Sequence, residues 1–495
     1  MAAFVSDNWR VRDNLSLEGG VRYELASPHY SQMNNLVNFD PALYDAAKAV
    51  QLNRTSGAVL AGSGNPYIGL VRAGSGVPED ELFRVTLDEK AAALIPASAP
   101  RGLYPTYHLF MPRFSAAFTL NQKTALRGGV GLYYDKPEGN VIFSQTNLPP
   151  FVPSVSVENG NLANPLAGRA AAEAVLGTVN AIDPNLKTPR QLNFSVSVQR
   201  ELRGGHLAEI AYVGNRGRNQ LWFPEINQPS FDVLVANQAL PTAERAHMNY
   251  LRPYRGYSSI RQRRSDAFSD YDALQLYLNR RRGVVSYTIA YTLSKATGNA
   301  SGIGDNPTAV DDAFDLAFHT GPLSFDRRHV LLTTWTYRVP FMRDRRDFFG
   351  QVLGGWELSG KTRWQSGQYL TPDGATGGPF GNRRADYLGG EISIDDRGAA
   401  RWFNTDAFAR APDGRRGTAT VGMIEGPHRS TWDVSLRKNF HVIGRSQMQF
   451  RADAFNVFNK VNLNNPNVRT TDAAYGSINS ARPPRQIQLS LRITY

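Results

Sequence analysis

Cysteine is absent from the 495 residues, which excludes a disulfide framework, a zinc knuckle and a thiol nucleophile. No apolar run approaches the roughly 18 residues that a membrane-spanning helix needs, and mean hydropathy is −0.38. A spanning sheet is not excluded, because strands that alternate apolar and polar residues average out in any hydropathy window. Charge of one sign is not concentrated either. Fifty-five Lys and Arg against 43 Asp and Glu give +12. The basic clusters (Arg261-Arg263-Arg264, Arg280 to Arg282, Arg343-Arg345-Arg346, Arg415-Arg416) are scattered through connections, so no nucleic-acid partner is expected. Residues Met1 to Trp9 carry neither the basic nor the apolar segment of a secretory leader. Helical stripes are nearly missing, with short Ala-rich pieces at Asp40 to Val50 and Ala170 to Leu176 as the expected exceptions.

Alternation fills the space that these absences leave. Leu15, Leu17, Gly19, Val21, Tyr23 and Leu25 share one face of a strand, with Ser16, Glu18, Gly20, Arg22 and Glu24 on the other. Residues 284–294, 351–366 and 485–495 repeat the pattern. These strands reach the nine to eleven residues, roughly, of a tilted membrane strand, whereas soluble strands average about five or six. The reading predicts thirteen strands, at 4–11, 15–25, 113–121, 124–134, 190–200, 206–214, 271–280, 284–294, 327–339, 351–366, 430–440, 446–459 and 485–495. Their connections alternate strictly between tight turns and long loops (26–112, 135–189, 215–270, 295–326, 367–429 and 460–484). Tight turns at one end and long loops at the other describe an antiparallel transmembrane β-barrel, all-β, with one barrel domain over 1–495. In hydrocarbon a lipid-facing Arg or Lys near the midplane costs about 2–4 kcal/mol, and Arg22, Arg127, Lys361, Arg363, Arg451, Asp453 and Arg492 all fall on the polar, lumen-facing side. Asp7 and Lys438 do not, and Lys438 is placed to snorkel from a strand end. Aromatic residues toward strand ends, Tyr23, Tyr291, Trp335 and Trp364 among them, fit an interfacial girdle.

Thirteen is odd, and an antiparallel barrel closes with an even number. The expectation is that further sequence precedes Met1; a strand at Phe83 to Leu87 would be the other way to restore parity.

Seven stretches occur together in order: "FVSDNWRVRDNLSLEGGVRYE" at 4–24, "ALRGGVGLYYD" at 125–135, "YDALQLYLNRR" at 271–281, "LSFDRRHVL" at 323–331, "GGWELSGKTRWQSGQYLTP" at 354–372, "FRADAFNVFNKVN" at 450–462 and "RQIQLSLRITY" at 485–495. In this the chain resembles the C-terminal barrel of TonB-dependent outer-membrane receptors, in particular the Oar-like group. The resemblance implies a 22-stranded barrel of which these are the last thirteen strands, and residence in the outer membrane among lipid and lipopolysaccharide. It also implies an assembly signal at Tyr495 read by the barrel-assembly machinery. A plug and a TonB box, through which that family energises uptake, are not found in 1–495.

Chemistry is sparse. The eight His residues lack HxxH and HExxH spacing, and Asp311, Asp312, Asp315 and His319 form an acidic loop cluster without EF-hand spacing. Gly62-Ser63-Gly64 and the glycines of 128–131 belong to a loop and a strand, not to a phosphate loop. Ser435 and Lys438 point to opposite faces of a strand. No enzyme activity, cofactor or metal is expected. Ligand contacts are expected from Arg and aromatic residues of the long loops, the types that dominate binding hot spots: Tyr254, Tyr257, Arg261, Arg263, Arg383, Arg384, Tyr387 and Trp402. Arg127, Lys361, Arg363, Arg451 and Arg492 are expected to line the lumen. The alternatives are a passive porin-like channel and a soluble β-rich binding protein.

Overall fold

In the computed structural model, which describes residues 1–152, 155–156, 163, 175–299, 301, 314–342, 345, 347–375, 383–412, 416–441 and 447–494, one sixteen-stranded sheet dominates. Thirteen of its strands follow in chain order: β1 (Ala2–Arg12), β2 (Leu15–Ala26), β3 (Tyr107–Asn121), β4 (Thr124–Tyr134), β5 (Arg190–Leu202), β6 (His206–Trp222), β7 (Tyr257–Arg280), β8 (Val285–Gly298), β9 (His329–Arg338), β10 (Trp356–Gln365), β11 (Arg429–His441), β12 (Gln447–Phe455) and β13 (Gln486–Thr494). Each overlaps its expected range, and every neighbouring pair is antiparallel. β1 and β13 are the edges, with no pairing between them among the described residues. Phe83 to Leu87 adds no strand; it contains the end of the 3-10 turn Glu79–Arg84.

Turn chemistry explains the tight end. Leu202 pairs with His206, leaving Arg203-Gly204-Gly205 to reverse the chain with both glycines at positive φ, 79° and 74°, a conformation that a Cβ resists. At the other end β6 and β7 run well past the expected boundaries, with Trp222 paired to Arg264, and form a ribbon that stands above the rest of the sheet.

Most of the buried core lies in the connections, with a small cluster of Ala26, Leu109 and Met111 at the long-loop end of β2 and β3. Val37, Phe39, Leu70, Ile95, Val179 and Tyr257 pack into one cluster drawn from the first three long loops and the extended end of β7. Its scaffold is a small sheet of Val37–Phe39, Leu70–Ala73 and Ala97–Ala99, together with Val175–Ile182, which runs parallel to the start of β7. A second cluster, around Trp402, Phe403, Phe408, Ile424 and Ile478, joins the loops at 367–429 and 460–484. The expected helical piece at Asp40 to Val50 reduces to one 3-10 turn, Pro41–Leu43, capped by the Asp40 carboxylate accepting from the Ala42 N–H. Of Ala170 to Leu176 only Val175 and Leu176 lie within the described residues, and they open a strand. Local propensity yielded there to sheet pairing with β7.

Candidate functional site

Register sorts every strand side chain onto one of two faces. Val5, Leu17, Phe114, Val130, Val196, Ile210, Leu274, Ile289, Leu331, Trp364, Val434, Ala452 and Leu489 follow from strand to strand on the first. This face is bare. Phe114 is 50% exposed, Ile210 55% and Leu489 68%. An apolar surface continuous over thirteen strands far exceeds the few hundred Å² that a soluble monomer leaves open, so the soluble alternative fails. The second face is polar and concave: hollows of about 700 Å³ and 310 Å³ run along it beside Glu18, Arg22, Arg113, Ser115, Arg127 and Ser195.

All five expected lumen residues share this polar face and are exposed on it. Arg127 donates to Gln199 Oε1 at 2.5 Å, and Arg451 pairs with Asp453 at 2.9 Å. Lys361 sits opposite Asp433, Arg363 opposite Thr431, and Arg492 opposite Gln449. Sequence reasoning missed the partners that knit the tight-turn end of this wall. Arg338 reaches Glu357 at 3.4 Å and Arg437 reaches the same carboxylate; their positions on the polar parity were the available signal.

The eight loop candidates fall into two groups. Tyr254 and Tyr257 meet in the first loop core, edge-on to Phe39 with ring centroids 5.0 and 5.1 Å away. Tyr257 is fully buried and its hydroxyl donates to the Ile68 carbonyl at 2.7 Å. Burial raises the pKa of Tyr254 and of its neighbour Tyr44. Arg263 is buried as well, donating to Ser144 Oγ at 3.1 Å with its guanidinium over Phe223, whereas Arg261 is exposed. In the second group Arg384 is buried, its guanidinium 3.5 Å from the centre of the Phe318 ring and donating to the Ala419 carbonyl at 3.2 Å. Tyr387 packs on Phe408 and donates to the Gly390 carbonyl at 2.7 Å. Trp402 donates from Nε1 to the Glu425 carbonyl at 2.8 Å. Arg383 pairs through its backbone with Ala375. All eight thus take part in loop structure, Arg261 through backbone pairing with Asn180 while its side chain faces solvent. Asp311, Asp312 and Tyr495 lie outside the described residues; Asp315 pairs with Arg416 at 2.7 Å, which lowers its carboxyl pKa.

A family model described as an outer membrane beta barrel domain matches residues 1–488. The chain belongs to this outer-membrane β-barrel family. No curated protein sequence matches it. Solved structures that resemble the chain include the outer membrane transporter YddB from Escherichia coli (12% identity, TM-score 0.48, covering 99% of this chain and 53% of that one). The ferric-catecholate import receptor Fiu from E. coli K12 (11%, 0.43, 99% and 44%) and the FrpB iron transporter from Neisseria meningitidis (10%, 0.43, 99% and 44%) also resemble it. The chain thus spans about half or less of the length of these structures.

The barrel lies in the outer membrane, and its apolar face is the lipid face. Three Tyr–His pairs lie on that face: Tyr23 with His108 at 2.8 Å, Tyr291 with His329 at 2.7 Å, and Tyr287 with His206 at 2.8 Å. An aromatic body with a polar handle suits a border between hydrocarbon and water. Glycines on this face make room for rings: Trp335 lies over Gly360, and Phe194 over Gly214, each so close that an added Cβ would overlap the ring. Lys438 does not reach water as a snorkelling side chain would. It is 3% exposed, its ammonium donating to the Gly354 carbonyl at the tight-turn end and sitting 5.6 Å from the Trp356 ring centre.

Proposed function

We propose that this barrel serves a TonB-dependent receptor or transporter of the Oar-like kind, taking up a solute through the lumen after recognition at the long-loop end. The observation that carries the reading is the division of labour along the strands. An apolar outer face and a charged concave face are topped, at one end only, by loops that fold into cores of their own. Rigid loop cores present fixed surfaces, which selective capture needs and general diffusion does not. Within them Arg261 offers a free contact, while Tyr254, Tyr257, Arg263, Arg384, Tyr387 and Trp402 shape the surface and Arg383 adds a strand. Arg127, Lys361, Arg363, Arg451 and Arg492 form the wall that a plug would rest against, and energised uptake would draw on that plug and TonB. Lipopolysaccharide, and the barrel-assembly machinery acting on Tyr495, complete the partners.

The test is single-channel recording on protein purified from outer membranes, beside protease shaving of intact cells. The receptor reading expects cleavage confined to the long loops and no steady open conductance from the intact protein. A stable, ligand-independent ohmic pore would establish the passive-channel alternative instead.

A further inference from the structure

A hollow of about 400 Å³ opens on the polar face where β9, β10 and β11 meet the long loops, lined by Arg327, Gln365, Gln368, Arg429, Asn464 and Arg482. Its charge is one-sided. Three arginines, Arg327, Arg429 and Arg482, line it, with Arg363 close enough to act electrostatically on Arg327 and Arg429; Arg327 also donates to the Ser324 carbonyl at 3.2 Å and the Asp326 carbonyl at 2.6 Å. Two acids lie nearby and offset part of this charge, Asp326 that of Arg327 and Asp433 that of Arg429, but neither lines the hollow: Asp326 is buried and accepts from the Ala296 N–H at 3.0 Å, and Asp433 accepts from the Asn456 N–H at 2.9 Å. Two polar atoms are left over at this site. Arg429 Nε and Gln365 Oε1 are buried and find no hydrogen-bond partner among the described residues. Gathering like charges costs free energy, and burying a polar atom unpaired costs about 1–3 kcal/mol; a bound anion relieves the charge and can accept from Arg429 Nε, while Gln365 Oε1 calls for a donor on the neutral part of the same solute.

We propose that this hollow binds a small polar solute through a phosphate or carboxylate group. Guanidinium forks match both oxyanions with paired, charge-assisted hydrogen bonds. The amides of Gln365, Gln368 and Asn464 can donate to, or accept from, the neutral part of such a solute. The volume fits a small molecule and excludes a macromolecule. The position on the concave face, not the lipid face, separates the site from membrane headgroups. The inference rests on the proposed lumen only for access.

The experiment is titration calorimetry on the full chain in detergent micelles, with inorganic phosphate and with succinate, at low and high salt. Saturable binding of one or both anions is expected, weakening as salt rises. Arg429→Gln and Arg482→Gln should each lower the affinity by about tenfold or more, whereas Arg10→Gln, at the opposite end of the sheet, should not change it. Arg482 is exposed, so its variant keeps the fold even if the Arg429 variant does not, and heat-modifiable migration on a gel checks both. Preference between the two anions identifies the group recognised. Absence of saturable binding for both, or equal losses from Arg10→Gln, overturns the proposal. Because binding is read without transport, retained binding with no uptake would count against the transport reading alone.

Discussion

Asn227 is fully buried, and its amide holds three backbone groups at once. Nδ2 donates to the carbonyls of Tyr254 and Tyr257 at 3.1 and 3.0 Å, and Oδ1 accepts from the Tyr254 N–H at 2.8 Å. Asn227→Ala strands those groups, at about 1–3 kcal/mol for each left unpaired. The expected result is faster limited proteolysis within 223–256 and an unchanged sheet; unchanged cleavage there would remove the role. Composition flagged Tyr254 and Tyr257 because aromatic residues serve hot spots and cores alike, and a sequence does not say which. A bridging amide carries no periodic signature at all, so Asn227 was invisible. Tyr104 makes a titratable case in the same region: 4% exposed, its phenol pushed up by burial to about 12. The folded state therefore favours the neutral phenol. Its contribution is complete below the ordinary pKa of about 10 and is lost as pH rises toward 12, on the order of 3 kcal/mol over that window. Several buried phenols titrate late; Tyr104→Phe should remove the one titrating near pH 12 from the tyrosinate absorbance curve and flatten the loss of stability above pH 10, roughly the phenol's ordinary pKa. A Phe variant with the same late step would assign it to another residue.

All thirteen strands were legible because hydrocarbon enforces alternation wherever it touches the sheet. Their outer extensions were not. Residues 257–270, read as loop, form the first half of β7, yet they are polar on both parities. Above the membrane no lipid face exists, and the backbone pairing that makes the strand leaves no mark on side-chain period. The same physics gives a paired test on β8. Ile289 lies mid-strand on the lipid face opposite Thr333, and Thr288 lies beside it on the polar face opposite Thr334. Ile289→Arg should destabilise by about 2–4 kcal/mol and reduce the heat-modifiable fraction recovered from outer membranes. Thr288→Arg should leave that fraction near wild type. Equal losses from the two variants would mean that the faces are assigned wrongly.

Hydrophobic burial and membrane insertion act in different parts of this molecule, and that separation has a measurable consequence. The sheet is held by its hydrogen-bond ladder and by lipid, with most of its apolar side chains uncovered, while burial of the ordinary kind is concentrated in loop clusters, two of which are built from different segments. Phe39 anchors the first: fully buried, it meets Tyr44, Tyr254 and Tyr257 at ring distances of 6.3, 5.0 and 5.1 Å. Phe39→Ala removes that hub at a cost of about 3–5 kcal/mol. Were the molecule one cooperative unit, a loss of that size would weaken every region together. With independent cores, cleavage should rise within 26–112 and 215–270 while sites in 367–429 and 460–484 keep their wild-type rate and the barrel remains heat-modifiable. The second core has its own ties to the loop at 295–326, through Arg384 on Phe318 and Arg416 on Asp315, and the cluster around Phe39 shares no residue with it. Fragment mapping by mass spectrometry distinguishes the outcomes. Parallel acceleration at both loop groups would show that the cores are coupled through the sheet, and recognition at one would then be felt at the other.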